Sequence, residues 1–138
     1  METEETRALI QKYYEVLPKG DKAAIAELLT DDCEWLPPAA APLEPVRGAD
    51  AVAAMFSGTL VRDTFDLSRP FALDVRSMIV DCNTAVVQQR LSATAKNGNA
   101  YQNEYCWVYE CRDGKIARME EYADTLLAGQ VMGWELSP

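Results

Sequence analysis

The chain has 138 residues, 49% of them apolar and 25% charged, which suits one globular domain large enough for a real core. A net charge of −9 disfavours nucleic acid and anionic membrane surfaces as partners. Histidine is absent, which removes the commonest general base and metal ligand.

The four cysteines, Cys33, Cys82, Cys106 and Cys111, form no Cys-x-x-Cys pair, so they read as free, mostly buried thiols rather than a zinc or redox centre. No metal and no cofactor are expected. No apolar run reaches the length of a membrane helix. The opening METEETRALIQ lacks the basic-then-apolar pattern of an export signal, so a cytoplasmic protein is expected.

In chain order, Thr3 to Leu17 predicts an amphipathic helix, with Leu9, Ile10, Tyr13, Tyr14 and Leu17 at helical spacing. Pro18-Lys19-Gly20 ends it, and Asp21 caps a second helix from Lys22 to Leu29. Thr30-Asp31-Asp32 reads as a turn and Cys33 to Leu36 as a short strand. Pro37 to Val46 holds four prolines and can be neither helix nor central strand, so it is a loop, with a flap as its expected role. A third helix is expected from Ala49 to Phe56, while Ser57 to Ser68 gives no clear signal. Phe71 to Val80 alternates as a long strand, Thr125 to Met132 reads as a final helix capped by Asp124, and Gly133 to Pro138 as a tail.

The stretch from Thr84 to Asp124 organises the rest: three strand-like runs joined at Asn97-Gly98 and Asp113-Gly114. Asn-Gly favours a two-residue turn, which pairs Lys96 with Asn99 and places Arg90 opposite Tyr105, Ser92 opposite Asn103 and Gln88 opposite Trp107. The second turn is open between a two-residue loop and a three-residue loop closed by a glycine bulge. The second is preferred, and it pairs Tyr105 with Glu121 and Trp107 with Met119. Arg90, Tyr105 and Glu121 then form one row on the inner face. Val87, Gln89, Leu91, Ala93, Gln102, Glu104, Cys106, Val108, Arg118, Glu120 and Tyr122 fall on the outer face. The whole predicts an α+β cone, a curved antiparallel sheet wrapped around the helices with a pocket between them, as a single domain spanning 1–138.

The run Gly20-Asp21-x-x-x-Ile25-x-x-Leu28-Leu29-x-Asp31-Asp32, then Arg47-Gly48, then Asp113-Gly114-Lys115-Ile116 and Glu121-Tyr122-x-Asp124, resembles the nuclear transport factor 2-like superfamily, in its SnoaL-like branch. That branch includes polyketide cyclases and limonene-epoxide hydrolase. The resemblance covers nearly the whole chain and implies the cone fold with an apolar pocket. Limonene-epoxide hydrolase carries Arg-x-Asp on one strand and a second Asp on the last. Arg90-x-Ser92 resembles the first with Ser in place of Asp, and Glu121 the second, so the water-activating carboxylate pair is incomplete. The SnoaL-type cyclases use one acid on the last strand, and Glu121 stands in a similar place. The ketosteroid isomerases' first-helix tyrosine resembles Tyr13, but their general base would fall at Pro37, which cannot serve.

These residues suggest an acid–base site. Glu121 would be the base, Arg90 would orient it, and Tyr105 would stabilise an oxyanion. Asn103, Trp107, Tyr13, Trp35, Ser92 and Met119 would bind the substrate, a small, largely apolar carbonyl or polycyclic compound. One competing expectation is a structural Arg90–Glu121 ion pair bridged by Tyr105. Another is a non-catalytic module that binds a hydrophobic ligand in the same pocket, and a third is a structural or partner-binding dimer whose cone is filled by Trp35, Trp107 and Met119. A half-apolar outer sheet face wants cover, and the resemblance implies a homodimer through it.

Overall fold

A computed structural model describes residues 1–135, without the side chain of Thr59. The last three residues of the expected tail lie outside the described residues.

Helix α1 spans Thr3–Val16 and buries Thr6, Leu9, Ile10, Tyr13 and Val16 along one stripe. Its first turn is tied to the far end of the sheet. The Thr6 hydroxyl donates to the Cys82 carbonyl, and the Cys82 amide donates to Thr3 Oγ1 at 3.0 Å. A short 3₁₀ turn over Leu17–Lys19 ends at Gly20, whose φ of +66° is left-handed. A Cβ there would sit 3.3 Å from the Ser57 carbonyl oxygen, so glycine also lets two segments approach.

Helix α2 is shorter than its periodicity predicts. It covers Lys22–Ala26, with the Asp21 carboxylate accepting from the Ala24 amide. The chain then enters β1, Leu29–Leu36, so the expected turn at Thr30–Asp32 is strand. Tertiary pairing overrides the local turn signal, because β1 runs parallel to the last strand and buries Leu29, Thr30, Cys33 and Trp35.

The proline-rich loop that follows ends in a two-residue strand, β2 (Val46–Arg47), paired with β1. Helix α3 spans Ala49–Ala54 and runs into a π-helical turn at Met55–Thr59 and then α4, Leu60–Thr64. The stretch without a clear sequence signal is therefore helical through Thr64. Such turns widen a helix by one residue and occur often at functional sites.

Strands β3 (Ala72–Asp81), β4 (Thr84–Thr94), β5 (Ala100–Arg112) and β6 (Lys115–Ala123) complete one six-stranded, curved and unclosed sheet in the order β2-β1-β6-β5-β4-β3. Helix α5, Thr125–Met132, is capped by the Asp124 carboxylate, which accepts from the Leu127 amide at 3.0 Å.

Both hairpins differ from the expected register. At the first, the loop is Lys96-Asn97-Gly98. The Gly98 amide closes on the Ala95 carbonyl at 2.9 Å, and Ala95 pairs with Asn99. Gly98 alone in this loop takes the left-handed conformation, at φ +88°, and the Asn97 side-chain amide donates to the Val131 carbonyl of α5 at 2.7 Å. This shifts β4 by one residue, so Arg90 pairs with Glu104, Gln89 with Tyr105, and Val87 with Trp107.

At the second hairpin, Asp113 and Gly114 are both left-handed, at φ +54° and +78°, and Arg112 pairs with Lys115 in a two-residue turn. That alone would turn β6 inside out. A bulge between Glu110 and Cys111 gives β6 one extra residue, Ala117, and restores the facing. Trp107 then pairs with Glu121, Tyr105 with Ala123, and Tyr109 with Met119.

Candidate active site

The concave face of β4–β6 and the segment from Phe56 to Phe65 enclose a cavity of about 910 Å³. Glu121, Trp107, Tyr105, Gln89, Tyr13 and Phe56 line it, together with further apolar side chains. The size suits a small organic ligand.

Glu121 is its chemical centre. Its Oε1 accepts from the Trp35 indole N–H at 3.2 Å. Burial pushes its carboxyl up to about 7, and the Trp35 bond holds it back from rising further. Trp35 is itself only 1% exposed, and Phe56 packs edge-on against it with ring centres 5.8 Å apart. Phe56 meets Trp107 at the same separation, and Trp107 stacks on Tyr109 with planes 5° apart. The carboxyl is thus fixed in an aromatic wall.

Tyrosines surround it. Burial, above all, raises the hydroxyls of Tyr13, Tyr101, Tyr105 and Tyr109, and the Glu121 charge adds to each. All four therefore stay protonated and can act as donors. The order of donation can be read along one chain of contacts. Asn103 Nδ2 donates to the Asp124 carbonyl at 3.0 Å, which fixes the amide, and also to the Tyr101 oxygen at 2.7 Å. Tyr101 and Tyr105 oxygens lie 2.6 Å apart. Either hydroxyl of that pair can be the donor; with Tyr101 accepting from Asn103 and donating to Tyr105, the Tyr105 proton is left for the cavity that Tyr105 lines. The reverse order would strand the proton of Tyr101, which is 1% exposed.

Sequence reasoning and structure part company on β4. Arg90 is on the convex face, where its Nε meets Glu104 Oε1 at 2.6 Å and Arg76 bonds the other oxygen of the same carboxylate at 3.1 Å. The expected Arg90–Tyr105–Glu121 row does not form, and neither does the Arg90–Glu121 ion pair, because the three-residue hairpin loop turns Arg90 outward. Ser92 is also outside, in a shallow groove between β3, β4 and α5. Met119 is fully buried in the core rather than at the cavity wall, and Asn103 holds Tyr101 rather than lining the cavity. Trp35 reaches the site through its bond to Glu121.

Among the residues missed are Gln89 and Leu91, which line the cavity together with Phe56 and Tyr109, and Tyr101 behind it. A signal for the first two was available. Ala85, Val87, Leu91 and Ala93 alternate with Gln88, Arg90 and Ser92, and an apolar set of that kind belongs on the inner face.

Among the described residues, no group of three or more His, Cys, Asp or Glu side chains could hold a metal ion, and no helix is long and apolar enough to cross a membrane.

Structural comparison places the fold among solved structures. The NTF2-like protein of Burkholderia thailandensis E264 is 25% identical, with 96% of this chain and 98% of that one covered and a TM-score of 0.78. The NTF2-like protein of Burkholderia xenovorans LB400 is 19% identical over 96% and 98% of the two chains, with a TM-score of 0.81. An LEH-like epoxide hydrolase of M. tuberculosis is 16% identical over 94% and 90%, at 0.72. No curated protein matches the sequence. The model of the SnoaL-like domain matches residues 10–119, and with that match over most of its length the chain belongs to the SnoaL-like domain family.

Proposed function

We propose that the protein is a cytoplasmic, cofactor-independent enzyme that isomerises, cyclises or hydrolyses a small apolar or polycyclic carbonyl compound in this cavity, with Glu121 as the general base. The observation that supports it most is the Glu121 carboxyl, pushed up to about 7 by burial, in a cavity with an apolar majority of lining residues. A base of that strength is half ionised near neutrality, where proton transfer is most effective.

In this reading the Glu121 carboxylate takes a proton from the carbon next to the substrate carbonyl. Electron density moves onto the carbonyl oxygen, which the Tyr105 hydroxyl stabilises by donation. The protonated Glu121 then returns the proton, to the same carbon or to another. Arg90 has no part in the step. Such chemistry needs only the chain's own groups. The convex sheet face presents Ile79 and Tyr122, 67% and 52% exposed, beside Val86 and Val108, and we assign it to a second copy of the chain.

The test needs no knowledge of the natural substrate. Cyclohexanone and 2-tetralone are incubated with the protein in D₂O, and uptake of deuterium beside the carbonyl is followed by NMR. Wild type should accelerate exchange with a midpoint near pH 7, and Glu121→Gln should not. Equal rates for the two proteins would sink the base. Saturable binding of the ketones without exchange, little changed in Glu121→Gln, would instead describe a hydrophobic-ligand-binding module.

A further inference from the structure

The arginines of β3 to β6, Arg76, Arg90, Arg112 and Arg118, each meet a carboxylate. Arg62, on α4, is in no ion pair among the described residues, although the chain has 22 acidic side chains against 13 basic ones. It is exposed and it lines the cavity, which places it at the cavity's open rim.

The π-helical turn builds a seat for its head group. Arg62 Nε donates to the Gly58 carbonyl at 3.2 Å. The guanidinium lies across Gly58, where a Cβ would stand 2.7 Å from Nη2 and 3.0 Å from Cζ. With Nε engaged, Nη1 and Nη2 remain, and among the described residues they make no hydrogen bond. These two nitrogens form the planar fork that matches the two oxygens of a carboxylate.

The rim around it is positive. Lys96 lines the same cavity, also without an ion pair among the described residues, and its backbone amide donates to the Thr64 carbonyl at 3.1 Å, which pins the β4–β5 hairpin to the end of α4. Asp63 lines the cavity too, but consecutive residues of a helix do not face each other, and it makes no ion pair with Arg62. Two cations and one acid at this opening, in a chain of net charge −9, give it a local field that attracts an anion.

We propose that Arg62, seated on Gly58, is a carboxylate subsite at the rim of the cavity, so that the ligand is an apolar acid whose body lies inside and whose carboxylate meets Arg62. This rests on the cavity being the ligand site, as proposed above. It does not depend on Glu121 acting as a base.

The probes are 2-naphthoate and its uncharged isostere 2-naphthamide, titrated calorimetrically at pH 6 into wild type, Arg62→Gln, Gly58→Ala, Lys115→Gln and Glu121→Gln. Wild type should bind the naphthoate about tenfold more tightly than the amide, the worth of one hydrogen-bonded charge pair. The preference should fall below about threefold in Arg62→Gln, and also in Gly58→Ala, which displaces the guanidinium while its charge stays. Gly58 is outside the left-handed region, so alanine suits its backbone and the variant should melt within a few degrees of wild type. The preference should persist in Glu121→Gln and in Lys115→Gln, which removes one positive charge at the β5–β6 turn. Equal affinity of wild type for the two probes, or an undiminished preference in Arg62→Gln or Gly58→Ala, overturns the subsite and leaves the base untouched. A loss in Lys115→Gln as large as in Arg62→Gln reduces the effect to net charge and overturns it as well. Absence of saturable binding of either probe removes the subsite and the cavity reading together.

Discussion

The indole N–H of Trp35, on β1, donates to the Glu121 carboxylate, on β6, across 3.2 Å, and it is the one hydrogen bond the Glu121 side chain makes among the described residues. It favours the ionised form and so opposes the burial that raises the carboxyl. Trp35→Phe keeps the aromatic wall but deletes the donor. The titration midpoint of Glu121, followed by NMR of its side-chain carboxyl carbon, should rise above its wild-type value near 7. A destabilisation of about 1–3 kcal/mol should accompany it, as for other core substitutions. An unchanged midpoint would show that the bond does not tune the carboxyl.

Glu121 should also leave a mark on stability. Its folded value, about 7, is above its ordinary value of 4.5, so folding favours the protonated form. Below pH 4.5 it imposes no penalty. Between 4.5 and 7 the penalty grows as the unfolded chain ionises and the folded one does not. Above 7 it is constant, at up to roughly 3 kcal/mol. Asp32, Asp66 and Glu104 are all shifted downward by their hydrogen-bond partners, so their effects fall below this window. Glu121→Gln should therefore match wild type in urea midpoint near pH 4.5 and exceed it at pH 8. A gap that does not widen between those two pH values would contradict the raised carboxyl.

The Arg90 side chain, which the sequence places at the centre of the site, should prove dispensable there. It bonds Glu104 on the convex face in an exposed pair of the kind worth about 1 kcal/mol or less. Arg90→Ala should leave the Glu121 midpoint and ketone exchange unchanged and shift the melting temperature by a few degrees at most. A tenfold loss of exchange would place Arg90 in the chemistry after all.

That correction shows what the sequence could and could not convey. Composition, helix periodicity in α1, the Asp124 cap of α5 and the two glycine-bearing turns are local signals, and each marks its element. The inner facing of Tyr105, Trp107 and Glu121 also follows from strand alternation. It survives because the Ala117 bulge compensates for a turn one residue shorter than expected. The facing of β4 does not survive, because the loop takes three residues instead of two, with the Asn97 amide bonded to the Val131 carbonyl 34 positions away in sequence. A dipeptide preference carries no information about that contact. The apolar alternation of β4 does, and it outweighs the turn dipeptide because a one-residue slip would bury Arg90 and expose Val87.

The chain Asn103–Tyr101–Tyr105 gives a further prediction. Tyr101→Phe removes the hydroxyl that, in the order in which Tyr101 donates, supports Tyr105, and it leaves the Asn103 amide with one acceptor fewer. Freed of that donor, Tyr105 should donate more weakly, so ketone exchange should drop several-fold while the apparent affinity for the ketone changes little. A structural role alone would lower the melting temperature without this split between rate and affinity. Asn103→Leu should cost more stability than Tyr101→Phe, because it removes both bonds of the Asn103 amide, to Tyr101 and to the Asp124 carbonyl, and leaves the buried Tyr101 oxygen without its donor.

The last prediction concerns the convex face. In a cone of this kind the sheet's inner face is covered by its own helices, while among the described residues no helix lies over Val86, Val108, Ile79 and Tyr122. Open antiparallel sheets ordinarily place polar side chains on a solvent face. Here β-branched residues sit among the ion pairs of Arg76, Arg90 and Glu104, and of Arg118 with Glu110 and Glu120. An apolar centre with a charged rim is the composition of an interface between copies. Sedimentation should therefore give a dimer for wild type and a monomer for Ile79→Glu, which puts a charge where the two sheets would meet. A wild-type monomer at micromolar concentration would leave this face to solvent and remove the dimer.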